Sequence, residues 1–175
     1  MELDTKMIQC FACCALVPDI DGPTHKYMLS APGCWKLYGE ILAKEYSPEN
    51  YDADSHRISV DTYAVTHPGD NNERRAIQSV NIHLIRLYYL FEEEMKGERL
   101  LQVIKNAAED EELHKKLLWL NPPSFENTLH INDVLIAQNS EQHKKIIRSW
   151  GESVWSLWKD KHGSTIESLA KQIKA

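Results

Sequence analysis

Apolar residues recur three and four positions apart along most of the chain, the pattern of helices that each bury one face. From Ala31 to Tyr46 the spacing is carried by Trp35, Tyr38, Ile41, Leu42 and Tyr46, with Ser30 and Pro32 suited to a helix start and Ser47-Pro48 to its end. Residues 47–57 read as a polar loop. The stretch 58–67 alternates as a strand would, yet Val60, Tyr63, Ala64 and His67 share a helical face; a short helix is expected, capped by Ser59 and stopped by His67-Pro68-Gly69. The strongest periodicity, Ile77, Val80, Leu84, Leu87 and Phe91, predicts a helix over 72–95 that ends at Gly97. Shorter amphipathic helices over 98–108 and 110–120 follow, and Pro122-Pro123 breaks the chain. Asn132 is placed to cap a short helix to Gln138. Ser140 is placed to cap a long one carrying Ile146, Ile147, Trp150, Val154, Leu157 and Trp158, with Gly163 as its stop. Ser164-Thr165-Ile166-Glu167 has capping-box spacing and would open a closing helix to about Lys174.

No stretch carries a convincing hairpin signal. The expected fold is therefore mostly α: a single-domain bundle of about seven helices over residues 1–175, in which an irregular, zinc-stapled segment 1–30 is laid against 31–175. A chain of 175 residues is long enough for one such core. With 42% hydrophobic and 26% charged residues it is neither a disordered nor a collagen-like chain. The first residues carry charges of both signs and the run Phe11–Val17 is too short for a secretory signal, while no stretch approaches the ~20 apolar residues of a membrane helix; a cytoplasmic location with reduced thiols is expected. The balance of 20 Lys+Arg against 26 Asp+Glu is opposite in sign to that of a protein that neutralises phosphates, which argues against nucleic acid as a partner. The acidic surplus lies before residue 140, after which seven Lys/Arg face four Asp/Glu.

All four cysteines fall in the first 34 residues: Cys10, Cys13, Cys14 and Cys34. Cys10-x-x-Cys13 is the spacing that lets two thiolates converge on one ion across a tight turn. The nearest further donors are His25 and Cys34, so Cys10, Cys13, His25 and Cys34 form a candidate Cys3His zinc set with the soft ligands that zinc accepts. Such an ion would staple a segment with little core of its own. Cys14 is spare. The competing reading is four buried, reduced thiols without metal; a thioredoxin-like redox pair fits less well, because no strand-helix-strand pattern surrounds the motif.

A second constellation is polar and central: His56, Asp61, Tyr63, His67, Arg74, Arg75, Gln78 and His83. If segment 58–67 packs on the following helix, Asp61, Tyr63 and His67 converge with Gln78 or His83 into a candidate cleft for a small ligand or a partner. Each of these residues has an ordinary surface or bracing role as its alternative. Near the C-terminus Trp150 and Trp158 belong to the core face, while Trp155 points elsewhere, towards a partner or a neighbouring helix. His143 and His162 lie too far apart along one helix to share an ion by themselves.

Several phrases can be taken together: Cys10-x-x-Cys13, Gly22-Pro23-Thr24-His25-x-Tyr27, Pro32-Gly33-Cys34-Trp35-x-Leu37-Tyr38-Gly39-Glu40, Glu45-Tyr46-Ser47, Val60-Asp61-Thr62-Tyr63-Ala64, His67-Pro68-Gly69 and Gln78-Ser79-Val80. In combination they resemble an uncharacterised bacterial family of domain-of-unknown-function proteins. The resemblance covers most of the chain and implies a small bacterial cytosolic protein; it transfers no reaction. The family pattern usually has Gly directly after the second cysteine, where this chain has Cys14.

The leading expectation is thus a helical protein with a structural zinc and a polar cleft near Asp61 and His67. The alternatives are a metal-dependent enzyme of hydrolase or thiol-transferase type, its ion held by His67, His83 and either His143 or His162, and a regulatory module that meets a protein, or a second copy as a homodimer, through the Trp155 side.

Overall fold

In the computed structural model, which describes residues 6–49 and 52–173, the N-terminal segment is more ordered than its sequence suggests. Met7–Gln9 (β1) and Leu16–Pro18 (β2) form an antiparallel hairpin, with Met7 opposite Pro18, Ile8 opposite Val17 and Gln9 opposite Leu16. Strands of three residues are too short to print an alternating pattern. Beyond them, the Cys10 N–H donates to Ala15 O at 2.8 Å and the Cys14 N–H to Cys10 O at 2.9 Å, so the connecting loop is tied to itself.

Seven helices follow among the described residues. Pro32–Glu45 (α1) matches its expected span, with Pro32 in the first turn. Ala53–Thr66 (α2) starts earlier than expected, because its cap is Asp52 and not Ser59: the Asp52 carboxylate accepts the Ser55 N–H at 2.9 Å and the Ser55 hydroxyl at 2.5 Å. Half of the expected loop 47–57 is therefore helix, and residues 50 and 51 lie outside the described set. Arg74–Phe91 (α3) and Glu111–Lys116 (α5) are trimmed forms of the predicted helices, whereas Gly97–Glu109 (α4) exceeds its expected span by a residue at each end and Gly97, the expected stop of α3, opens it. Ile131–Leu135 (α6) is capped by His130 and not Asn132, whose side chain instead donates to Leu16 O of β2 at 2.9 Å.

The largest departure is Ser140–Ala170 (α7), one helix of 31 residues where two were expected. Asn139 caps it, accepting from the Gln142 N–H at 2.9 Å. Gly163 and the capping-box spacing at 164–167 lie inside the helix. Ile166, Leu169 and Ala170 are buried and continue the face of Trp150, Val154 and Trp158; that burial outweighs the ~1 kcal/mol by which an internal glycine disfavours a helix. Lys174, the expected last residue, lies outside the described set.

The helices α2, α3 and α7 pack on one another, α4 lies on α3, and α1 sits between the hairpin and α6. Trp158 is fully buried and its Nε1–H donates to Val65 O at 3.2 Å, joining α7 to α2. Trp155 is buried as well: it lies edge-on to Tyr88 and donates to Glu92 Oε1 at 2.7 Å, so it faces a neighbouring helix and offers no surface to a partner. Among the described residues no helix is long and apolar enough to cross a membrane.

Candidate metal centre

Three segments bring four soft donors together. The hairpin loop supplies Cys10 and Cys13. The first turn of α1 supplies Cys34, and the residue that closes α2 supplies His67. The hairpin reaches α1 only because position 33 is glycine: a Cβ there would stand 2.1 Å from Pro18 O. His67 is the C-cap of α2, its N–H bonded to Ala64 O, and Pro68 prevents the helix from continuing past it.

The four donor atoms lie within 4.8 Å of one another, and all four residues are buried, Cys13 being the most exposed at 5%. Cys34 Sγ stands 3.2 Å from His67 Nε2, Cys10 Sγ 3.8 Å from the same nitrogen, and Cys13 Sγ 3.7 Å from Cys34 Sγ. A tetrahedral zinc with bonds of about 2.3 Å to sulfur and 2.0–2.1 Å to nitrogen sets its donors about 3.8 Å apart for a sulfur pair and about 3.6 Å for sulfur and nitrogen. All four cysteines are free thiols, and 3.7 Å is far from a disulfide bond length of about 2.05 Å.

The surroundings favour ligation through Nε2. His67 Nδ1 lies 2.8 Å from Tyr63 O; a carbonyl only accepts, so Nδ1 carries the proton and Nε2 turns its lone pair to the sulfurs. Tyr63 stacks on the imidazole at 3.9 Å and Tyr38 stacks on Tyr63 at 3.9 Å, which fixes the ring. The Tyr63 hydroxyl points at Cys34 Sγ from 3.7 Å. Burial pushes the phenols of Tyr63 and Tyr38 above their ordinary values, so both stay neutral.

Without a cation the three thiols cannot all ionise. Cys10 is pulled far down by hydrogen bonds from Cys13 and then Cys34, against the opposing effect of burial. Donation to Cys10 pushes Cys13 up to about 12, and donation to Cys10 and Cys13, with burial, pushes Cys34 higher still. A divalent ion would hold all three as thiolates, and the positive end of α1 at Cys34 favours the net anion that results.

His25, expected as the fourth donor, is not among the four. Its Nδ1 accepts the Tyr27 N–H at 3.1 Å, and its ring lies against Tyr27 and Trp35; Trp35 in turn touches Tyr63, so two aromatic rings separate it from the sulfurs. Cys14, the spare, has φ of 67°, the left-handed conformation that suits glycine.

The expected cleft of Asp61, Tyr63, His67, Gln78 and His83 divides in two. Two residues are about 200° of turn on a helix, so Asp61 leaves α2 on the side away from Tyr63 and His67. Asp61 is fully buried and its Oδ1 accepts from His83 Nδ1 at 2.7 Å and Arg86 Nη1 at 3.0 Å. Gln78 lies further along α3 with Arg75 and His83 in a shallow groove beside Tyr27. Arg74 donates to Leu117 O at 2.6 Å and Arg75 to the Tyr27 hydroxyl at 2.9 Å. The histidines of the enzyme alternative are dispersed: His67 meets the sulfurs, His83 Asp61, His143 the carboxylate of Glu45 at 3.1 Å, and His162 the carbonyl of Asn121 at 2.8 Å.

The Glu45 network escaped the sequence reading. This carboxylate is 1% exposed and takes His56 Nδ1 and the Ser59 hydroxyl, each at 2.8 Å, besides His143. Its position in the stripe Cys34, Tyr38, Ile41, Glu45, all buried on α1, was the available signal.

A model of a family of unknown function, DUF5946, matches residues 8–159. The chain belongs to that family. No curated protein and no solved structure matches it. All four members of the DUF5946 cluster fall inside the matched span, as do Asp61, His83 and Arg86.

Proposed function

We propose that this DUF5946 protein binds zinc in a structural role through Cys10, Cys13, Cys34 and His67, and receives a small ligand in a polar cleft at Asp61. The observation that carries the metal half is the convergence of the four donor atoms within 4.8 Å of one another, three of their separations being 3.2–3.8 Å, close to those about one tetrahedral ion. The donor set favours zinc over a hard cation, since it contains no oxygen. Four protein donors close the shell, with no position left for water or substrate, which supports a structural and not a catalytic ion. The ion would tie the three-residue strands, which bury little by themselves, to α1 and α2.

Elemental analysis of the purified full chain tests this. One zinc per chain is expected, with Cys10, Cys13 and Cys34 resisting alkylation until a chelator is added, while half-buried Cys14 reacts in both states. Protein that carries no zinc after expression in zinc-supplemented medium, and whose alkylation pattern ignores chelator, would sink the proposal.

A further inference from the structure

The other face of α2 borders a cavity of about 210 Å³, enclosed by the first half of α2, the end of α3, the start of α4 and the first turns of α7. Asp61 and Arg86 line it together, and their pairing is incomplete: Asp61 Oδ2 and Arg86 Nε are both buried and have no hydrogen-bond partner among the described residues. An unpaired buried polar atom costs about 1–3 kcal/mol, more when charged. One acceptor and one donor are thus unfilled on two mutually paired residues of the cavity lining.

The remaining charge around this cavity is positive, in a chain whose net charge is −6. Arg57 from α2, Lys96 from the cap of α4, and Lys144 and Arg148 from α7 line it with Arg86. Of the carboxylates there, Asp52 is occupied by Ser55, Asp54 by Arg57 at 2.9 Å, and Asp61 by His83 and Arg86. Lys96 makes no ion pair among the described residues, the contact of Lys144 with Glu141 is a long 3.9 Å, and Arg148 Nε is paired with Glu152 at 2.8 Å. The backbone amides that open α4 add the positive end of a 13-residue helix that has no side-chain cap bond. Ile58, Leu90 and Leu100 give the cavity an apolar wall.

We infer that this cavity binds a small phosphate ester that carries a hydroxyl group. The phosphate lies between Lys96 and Lys144, where cations from two elements suit a dianion better than a single carboxylate. The hydroxyl donates to Asp61 Oδ2 and accepts from Arg86 Nε, and the short carbon chain between them lies on Ile58 and Leu100. The volume is below the ~300–1,000 Å³ of sites for drug-sized ligands, so the molecule is small. This inference rests on the cleft half of the proposed function and not on its metal.

Calorimetric titration of the full, zinc-loaded chain with glycerol 3-phosphate, inorganic phosphate and glycerol tests it. Saturable binding is expected for the ester, weaker binding for inorganic phosphate and none for glycerol. The double variant Lys96→Glu with Lys144→Glu, at an exposed and a half-buried position, should weaken the ester about tenfold or more, since it turns attraction into repulsion, and should leave zinc content and thermal stability near wild type. No saturable binding at millimolar ester, or an unchanged affinity in the folded double variant, would overturn the site. Equal affinity for ester and inorganic phosphate would overturn the assignment of the hydroxyl to Asp61. A chain that holds zinc but ignores the ester defeats this inference alone, and a metal-free chain that binds the ester defeats only the metal reading.

Discussion

Replacing His67 and His25 in turn by alanine separates the donor supplied by the fold from the one nearest in sequence. Structural zinc contributes about 10–16 kcal/mol in zinc-finger peptides, so one donor in four stands for about 3 kcal/mol. The His67 ring is also 1% exposed and stacked on Tyr63 at 3.9 Å, and removing a buried side chain of this size leaves a cavity costing about 2 kcal/mol or more. Together these come to about 5 kcal/mol, a large part of the 5–15 kcal/mol by which domains are stable. At about 2–4 °C per kcal/mol for a chain of this length, His67→Ala should lower the melting temperature by roughly 10–20 °C. His25 is half-buried and, among the described residues, is hydrogen-bonded only to a backbone N–H; His25→Ala should cost about 1 kcal/mol or less, a few degrees. Packing alone could account for part of the His67 effect, so the decisive readout is metal dependence. Thermal melts with and without chelator, beside zinc content, should show a large chelator-induced drop in wild type and in His25→Ala and almost none in His67→Ala. Full zinc content and chelator sensitivity in His67→Ala, combined with their loss in His25→Ala, would refute the assignment of the fourth donor.

Other outcomes follow from single positions. Gly33→Ala forces a methyl against Pro18 O, 2.1 Å away, and should destabilise by about 1–3 kcal/mol in urea melts while easing zinc removal by chelator. Cys14→Gly relieves a left-handed backbone at φ 67° and should leave zinc stoichiometry unchanged while gaining up to ~1 kcal/mol, measured by the shift of the urea midpoint. Asp52→Ala removes the α2 cap bonds to Ser55 and should cost about 1 kcal/mol. The Glu92 carboxyl is held below its ordinary 4.5 by Lys159 first and Trp155 second, with burial opposing both. A lowered acid stabilises the folded state above its unfolded pKa and loses that contribution as pH falls through the folded value. Wild type should therefore exceed Glu92→Gln in stability at neutral pH, and the gap should close below about pH 4.5; a gap constant down to the acid transition would contradict the pairing.

Much of the helical layout was legible because amphipathic spacing is a local property. Tyr38 and Ile41 on α1, or Val80, Leu84 and Leu87 on α3, lie at the spacing their burial requires. The errors lie where a local signal met a tertiary one. Gly163 and the capping-box spacing after it are genuine stop and start signals, yet the buried face from Trp150 to Ala170 carries one helix through both. Asp52 and Ser59 are both competent caps, and Asp52 prevails because the turn that starts there also buries Ser55. The hairpin was invisible because its register depends on Val17 reaching the core beneath α1.

The candidate centre divides in the same way. The sequence by itself determined the Cys10-x-x-Cys13 turn, the third thiol at Cys34 and a helix that ends at His67-Pro68. Nearness along the chain favoured His25 as the fourth donor, whereas the fold brings in His67, 33 residues beyond Cys34. The docking of α2 against α1 and the stack of Tyr38, Tyr63 and His67 decide that choice, and neither is a local property. The same docking turns Asp61 away from the candidate metal centre to meet His83 and Arg86, so the single cleft suggested by sequence becomes two clusters on opposite faces of one helix. Local sequence sets which faces a helix has; only packing against its neighbours sets what each face meets.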